Sequence, residues 1–292
     1  MFKGSIVAIV TPFKNGKVDE EGYRRLIDFQ IKNGTSAIVP VGTTGESATL
    51  DMEEHKRAIE IAVEAVRKRV PVIAGTGGNS TSEAIELTEY AKRIGADATL
   101  QVTPYYNKPT QEGLVHHFKA IAKAVPLPQV LYNIPGRTGV NMLPQTVARL
   151  AEMREIVAIK EASGSLGQMA EVVQLAGHKI TLLSGDDNLT LPVLAIGGKG
   201  VISVVANIAP KDNANMVKAW EEGKPERARK LFFKLLPLCQ SMFIETNPIP
   251  VKTALALMGM IDGEMRLPLC PMAPANLEKL KTALQKYGLI KG

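Results

Sequence analysis

Lys160 closes an apolar run in the stretch IVAIKEASG, residues 156–164, and an amine so placed has two uses. It can end a strand by reaching for water or pairing with Glu161. It can also sit in a poorly hydrated pocket, where desolvation favours the neutral amine that attacks a carbonyl to form a Schiff base. Tyr132 ends an earlier run, QVLYN, and a phenol beside such an amine can relay protons to and from a carbinolamine. The turn GTTGES, residues 42–47, offers backbone N–H groups and hydroxyls suited to one small carboxylate, but lacks the lysine and spacing of a phosphate loop. Arg137 in PGRTG lies on an expected loop and presents a planar fork for a second carboxylate. Each has a plain alternative: a solvated strand end, a packing tyrosine, a tight glycine turn, a surface ion pair.

A strand–helix repeat must position these groups. Apolar, β-branched runs start at Ser5 (SIVAIV), Ala37 (AIVPV), Pro71 (PVIAG), Ala98 (ATLQV), Gln129 (QVLYN), Ile156 (IVAIK), Ile180 (ITLLS) and Gly200 (GVISV). Helical periodicity fills the gaps, as in 51–69, with Ile59, Ala62, Val63 and Val66 on one face, and in 82–94. Eight such units predict an α/β fold, a closed (β/α)8 TIM barrel. An open doubly wound sheet fits less well, because the first strand runs into TPF rather than a glycine-rich nucleotide turn. Past Pro210 the strand signal stops. Helical segments at 225–245, 250–260 and 273–287 follow, separated by NPIP and RLPLCP. The expected division is a barrel over residues 1–224 and a C-terminal helical extension over 225–292. Barrel chemistry gathers where strands end, which collects Thr43, Thr44, Tyr105, Tyr106, Tyr132, Arg137, Lys160 and Gly185 at one rim.

Bulk properties narrow the function. Of 292 residues, 45% are hydrophobic and 22% charged, as in an ordinary globule. No run approaches the roughly 18–20 apolar residues of a membrane span, and the N-terminus reads as a first strand rather than a signal peptide. Two cysteines without a CxxC argue against a disulfide framework, so a cytoplasmic protein is expected. The net charge of +6 is scattered, without the clustered stripe nucleic acid needs, and Arg67 to Arg69 are expected to close a helix. His55, His116, His117 and His178 show no metal-ligand spacing, and no dinucleotide fingerprint is present. Chemistry without metal or cofactor, through a covalent lysine, needs the fewest further parts.

The motifs GSIVAIVTPF, GTTGESATL, AGTGGNST, VTPYYNKPTQEGL, YNIPGRTG, IKEASG, LLSGDD, GVISV and NPIPVK occur in this order along the whole chain. Together they resemble the dihydrodipicolinate synthase family, also called 4-hydroxy-tetrahydrodipicolinate synthases, of the class I aldolase superfamily. The resemblance implies a Schiff base between pyruvate and Lys160, and a proton relay of Tyr132, Thr43 and Tyr106, the last reaching in from a neighbouring subunit. It implies that Thr44 holds the pyruvate carboxylate and that Arg137 receives L-aspartate 4-semialdehyde. Gly185 and Ile202 would line the lysine pocket, and two tight dimers would form a homotetramer. It also implies feedback inhibition by L-lysine at Ser47, Ala48, His55, Asn79, Glu83 and Tyr105; Met52 departs from the residue some inhibited members carry there. N-acetylneuraminate lyase and the 2-keto-3-deoxy-sugar-acid aldolases share the lysine and the strand-five tyrosine. They generally lack the GRTG arginine together with the inter-subunit tyrosine. A catalytically silent oxo-acid-binding relative is the reading from another class, and the full residue set argues against it.

Overall fold

The computed structural model describes residues 2–291. Eight parallel strands form one sheet: β1 (Gly4–Ala8), β2 (Ala37–Val39), β3 (Ile73–Gly75), β4 (Ala98–Val102), β5 (Gln129–Asn133), β6 (Ile156–Glu161), β7 (Thr181–Ser184) and β8 (Gly200–Ser203). Their order is β2-β1-β8-β7-β6-β5-β4-β3, and a parallel bridge between Ile38 and Val72 joins the two ends. The sheet is thereby a (β/α)8 barrel, as the spacing predicts. Such strands are covered on both faces and read as continuous apolar runs, which is why they are visible in the sequence.

Side chains from alternating positions fill the interior, among them Ile6, Val39, Ile73, Leu100, Val130, Ala158, Leu183 and Ile202. The opposite faces pack on a ring of helices: α1 (Glu20–Lys32), α2 (Met52–Val66), α3 (Thr81–Arg93), α4 (Gln111–Ala124), α5 (Pro144–Leu150), α6 (Leu166–Ala176), α7 (Thr190–Ala195) and α8 (Pro210–Glu221). Local chemistry starts them. The Asp51 side chain accepts from Glu54 N–H at 2.8 Å while Glu54 Oε2 accepts from Asp51 N–H at 3.2 Å, a capping box for α2. That helix ends at Val66, short of the expected Arg69. Arg67 and Lys68 turn left-handed, at φ 50° and 57°, so the cations lie beyond the last turn.

Between β5 and β6 the pairing slips by one residue. Gln129 faces Ile156, but Val130 faces Ala158, and from there the register continues through Tyr132 opposite Lys160.

Two features were not expected. Phe13–Lys14 and Lys17–Val18 form a hairpin in the segment between β1 and α1, turning through Asn15 and Gly16, both at positive φ. Their NGK sequence carries the signal of a two-residue hairpin turn. Residues 135–138, expected as loop, form one helical turn with Pro135 at its start and Gly139 left-handed at its end. The C-terminal helices α9 (Pro225–Ser241), α10 (Ile249–Leu257) and α11 (Pro274–Tyr287) follow the barrel, with α9 packed along α8. Among the described residues no helix is long and apolar enough to cross a membrane.

Candidate active site

Lys160 and Tyr132 sit at the ends of neighbouring strands, in register, each 5% exposed. The lysine Nζ lies 4.2 Å from the centroid of the Tyr132 ring. Alternation along β6 decides what Lys160 does not do. Successive side chains point to opposite faces, so Glu161 turns outward toward the helices. There it accepts from Asn133 Nδ2 at 3.1 Å, Ser163 N–H at 2.9 Å and Gln168 Nε2 at 3.3 Å, and is no partner for the lysine. Burial raises the Glu161 pKa against those hydrogen bonds.

Gly185 lies against the lysine stem. A Cβ there would stand 2.5 Å from Ala162 Cβ and 3.2 Å from Lys160 Cε, so only glycine leaves the stem its place. Ile202 lies beneath in the filled interior. Asp186 and Asp187 follow Gly185. Burial raises both pKa values, and the nearby Lys160 charge pulls both back. Asp187 Oδ2 accepts from the N–H groups of Val204 and Val205, both at 2.9 Å.

A cavity of about 380 Å3 opens above this layer. Thr43, Tyr132, Arg137 and Asn247 line it, together with Ser47, Ala48, Met52, His55, Glu83 and Tyr105. The expected regulatory set and the barrel mouth thus share one continuous space. Asn79 is set back from the wall, its main-chain carbonyl accepting from Asn107 Nδ2 at 2.9 Å. Lys160, Thr44, Gly185 and Ile202 also lie outside the wall; Tyr132 connects the lysine to the cavity. His55 is held by a 2.7 Å contact between Nε2 and Gly75 O, and burial lowers its pKa. Tyr105 is shifted up by burial and by the charge of Glu83.

Tyr106 does not join the others. It adopts φ 70°, is 90% exposed and does not line the cavity.

Sequence reasoning missed the residues that hold the GTTGES turn. Val41, a β-branched residue at φ 53°, and Glu46 at φ 56° give it two strained positions. Glu46 makes a 2.5 Å ion pair with Lys252 of α10, and both side chains are fully buried. Lys252 Nζ also stands 4.2 Å from the Phe13 ring centroid, and Arg266 N–H donates to Glu46 Oε2 at 3.3 Å. Asn247 Nδ2 donates to Thr44 Oγ at 3.1 Å, while Arg137 Nη2 donates to the Asn247 carbonyl at 2.9 Å. NPIPVK and GTTGES are both visible as motifs. Their contact across more than 200 residues is not.

Comparison with known proteins gives this site its class. The model of the dihydrodipicolinate synthetase family matches residues 1–287. The 4-hydroxy-tetrahydrodipicolinate synthase of Geotalea uraniireducens is 66% identical over 290 residues, covering 99% of this chain and all of the relative. The crystal structure of the chloride-inhibited dihydrodipicolinate synthase from Acinetobacter baumannii, complexed with pyruvate, superposes with a TM-score of 0.97 at 49% identity, covering 99% of this chain and 100% of that one. The Cyanidioschyzon merolae enzyme with lysine bound gives 0.96 at 45%, covering 99% of both chains. Fold and relatives define a Schiff-base-forming lyase built on a (β/α)8 barrel. Within that class the chain belongs to the dihydrodipicolinate synthetase family.

Proposed function

We propose that this enzyme condenses pyruvate with L-aspartate 4-semialdehyde on Lys160, as a 4-hydroxy-tetrahydrodipicolinate synthase of diaminopimelate and lysine biosynthesis. The observation that carries the reading is the buried Lys160 amine against Tyr132, whose other side lines a cavity shared with Thr43 and Arg137. The amine adds to the pyruvate ketone and water leaves, giving an imine whose protonated form is an electron sink. Loss of a methyl proton gives an enamine, which attacks the aldehyde carbon. The amino group of the second substrate then closes the ring on the imine carbon and expels the lysine. Tyr132 and Thr43 carry protons in these steps, Thr44 holds the pyruvate carboxylate and Arg137 that of the semialdehyde. Gly185 and Ile202 shape the lysine pocket.

Tyr106 completes the relay from a second copy, which its exposure supports. The working assembly in this reading is a homotetramer of tight dimers in the cytoplasm, with residues 225–292 as a helical unit on the barrel. L-lysine acts as a feedback inhibitor in the same cavity, with Glu83 receiving an ammonium group. Borohydride reduction with pyruvate, followed by intact mass, tests the chemistry. A pyruvate-derived adduct that disappears in Lys160→Ala is expected; none in the wild type, or one that survives the substitution, refutes it.

A further inference from the structure

We infer that Asn247 is a positioning residue that turns the Thr44 hydroxyl into a hydrogen-bond donor for the pyruvate carboxylate, an inference that rests on the site reading above. Thr44 and Asn247 are 2% and 5% exposed, so water does not compete for their contact. A hydroxyl has one proton to give and lone pairs to receive. The Asn247 amide N–H occupies a lone pair of Thr44 Oγ at 3.1 Å. The Thr44 proton is therefore directed away from Asn247, and among the described residues its hydroxyl makes no other hydrogen bond. A carboxylate is the ligand group that uses such a free, pre-oriented donor best.

The backbone of the same residue serves the other substrate. Its main-chain carbonyl accepts from Arg137 Nη2 at 2.9 Å, so one residue of the C-terminal extension touches both carboxylate-binding groups. Asn247 is fixed in turn. Ile249 N–H donates to the Thr246 carbonyl at 2.9 Å to begin α10, and Lys252 on that helix anchors Glu46, two residues beyond Thr44. The NPIPVK segment thus grips the GTTGES turn at two points.

Side chain and main chain can be tested separately. Asn247→Ala deletes the amide but keeps the carbonyl that Arg137 uses. Asn247→Asp keeps the shape but replaces a donor by an acceptor, so the Thr44 proton turns toward it and is lost to the substrate. Steady-state kinetics should show pyruvate KM rising about tenfold in Asn247→Ala and roughly a hundredfold in Asn247→Asp. The kcat at saturating pyruvate should stay within about threefold and the aldehyde KM of Asn247→Ala within about twofold. A packing role, or the burial of a new carboxylate, would penalise Asn247→Asp whether or not the Thr44 hydroxyl is present, so the Thr44→Val background separates these from the positioning role. Should a variant melt early, the Thr44→Val background decides. There the excess penalty of aspartate over alanine should vanish. An aspartate variant no worse than alanine, or an excess penalty that persists without the Thr44 hydroxyl, overturns the inference. The wild-type pyruvate adduct is measured alongside, and its absence overturns the function reading as well.

Discussion

Replacing Lys252 by methionine would strand the Glu46 carboxylate in a place where neither partner has any solvent contact. Methionine nearly matches the lysine stem in volume, so packing against Phe13 is largely kept and the change isolates the charge. Breaking a buried pair by removing one partner costs about 3–5 kcal/mol, because the survivor stays desolvated and unpaired. The remaining contacts to Glu46 Oε2, from Arg266 N–H at 3.3 Å and the Thr49 hydroxyl at 3.4 Å, are long and offset little of that. At about 2 °C per kcal/mol for a chain of this length, the melting temperature should fall by roughly 6–10 °C. Glu46→Gln together with Lys252→Met removes both charges and should recover most of the loss, giving a coupling energy of about 2–4 kcal/mol in a double-mutant cycle. The exposed pair Lys281–Glu278 is the internal control, and Lys281→Met should cost less than about 1 kcal/mol. Thermal and urea unfolding of the wild type, the two single variants, the double variant and the Lys281→Met control checks this. Additive costs, or a Lys252→Met melt within about 1 °C of wild type, would refute the argument that the pair stabilises the turn.

Other outcomes follow from single contacts. Burial lowers the His117 pKa from 6.5 to about 4, with Thr81 Oγ on its Nδ1 at 2.9 Å. The fold prefers the neutral ring, so this stability is present above pH 6.5 and is lost as pH falls toward 4. Between pH 7.5 and 4.5 the loss is about 2–3 kcal/mol, and urea titrations of His117→Leu should show a correspondingly smaller acid loss; equal losses count against it. Gly185→Ala drives a methyl into Ala162 and the Lys160 stem, and should cut kcat about a hundredfold while the protein still folds. Tyr106→Phe should leave the melting temperature within about 1 °C, since the side chain is 90% exposed, yet lower kcat tenfold or more. Activity should fall across millimolar lysine and fall less in Glu83→Gln; activity constant in lysine would remove the regulatory reading.

How much was legible in the sequence follows from the range of each interaction. The eight strands show because barrel strands are apolar on both faces, and their predicted ends lie within two residues of those found. Lys160, Tyr132 and Arg137 are readable because a barrel sends strand ends to one rim, so position along the chain gives position in space. The exposure of Tyr106 is not readable from composition, because it goes with a left-handed turn at a tyrosine. Asn247, Glu46 and Lys252 stayed hidden for another reason. Their roles exist only when α10 meets the GTTGES turn, and neither segment has a periodicity that announces the other.

The slip at the foot of β5 and β6 has a chemical consequence at their other end. Had pairing run on unbroken from Gln129 and Ile156, Tyr132 would face Ile159, and Lys160 would lie beside Asn133. Neighbours in register point the same way, so the amine would enter the helix layer and Glu161 would take the inward course. The barrel would hold a carboxylate where the proposed reaction needs an amine. One uncompensated residue, some four positions below the rim, therefore works as a parity switch for the reaction. An insertion or deletion in either strand above that slip should change the enzyme's chemistry before it changes its shape.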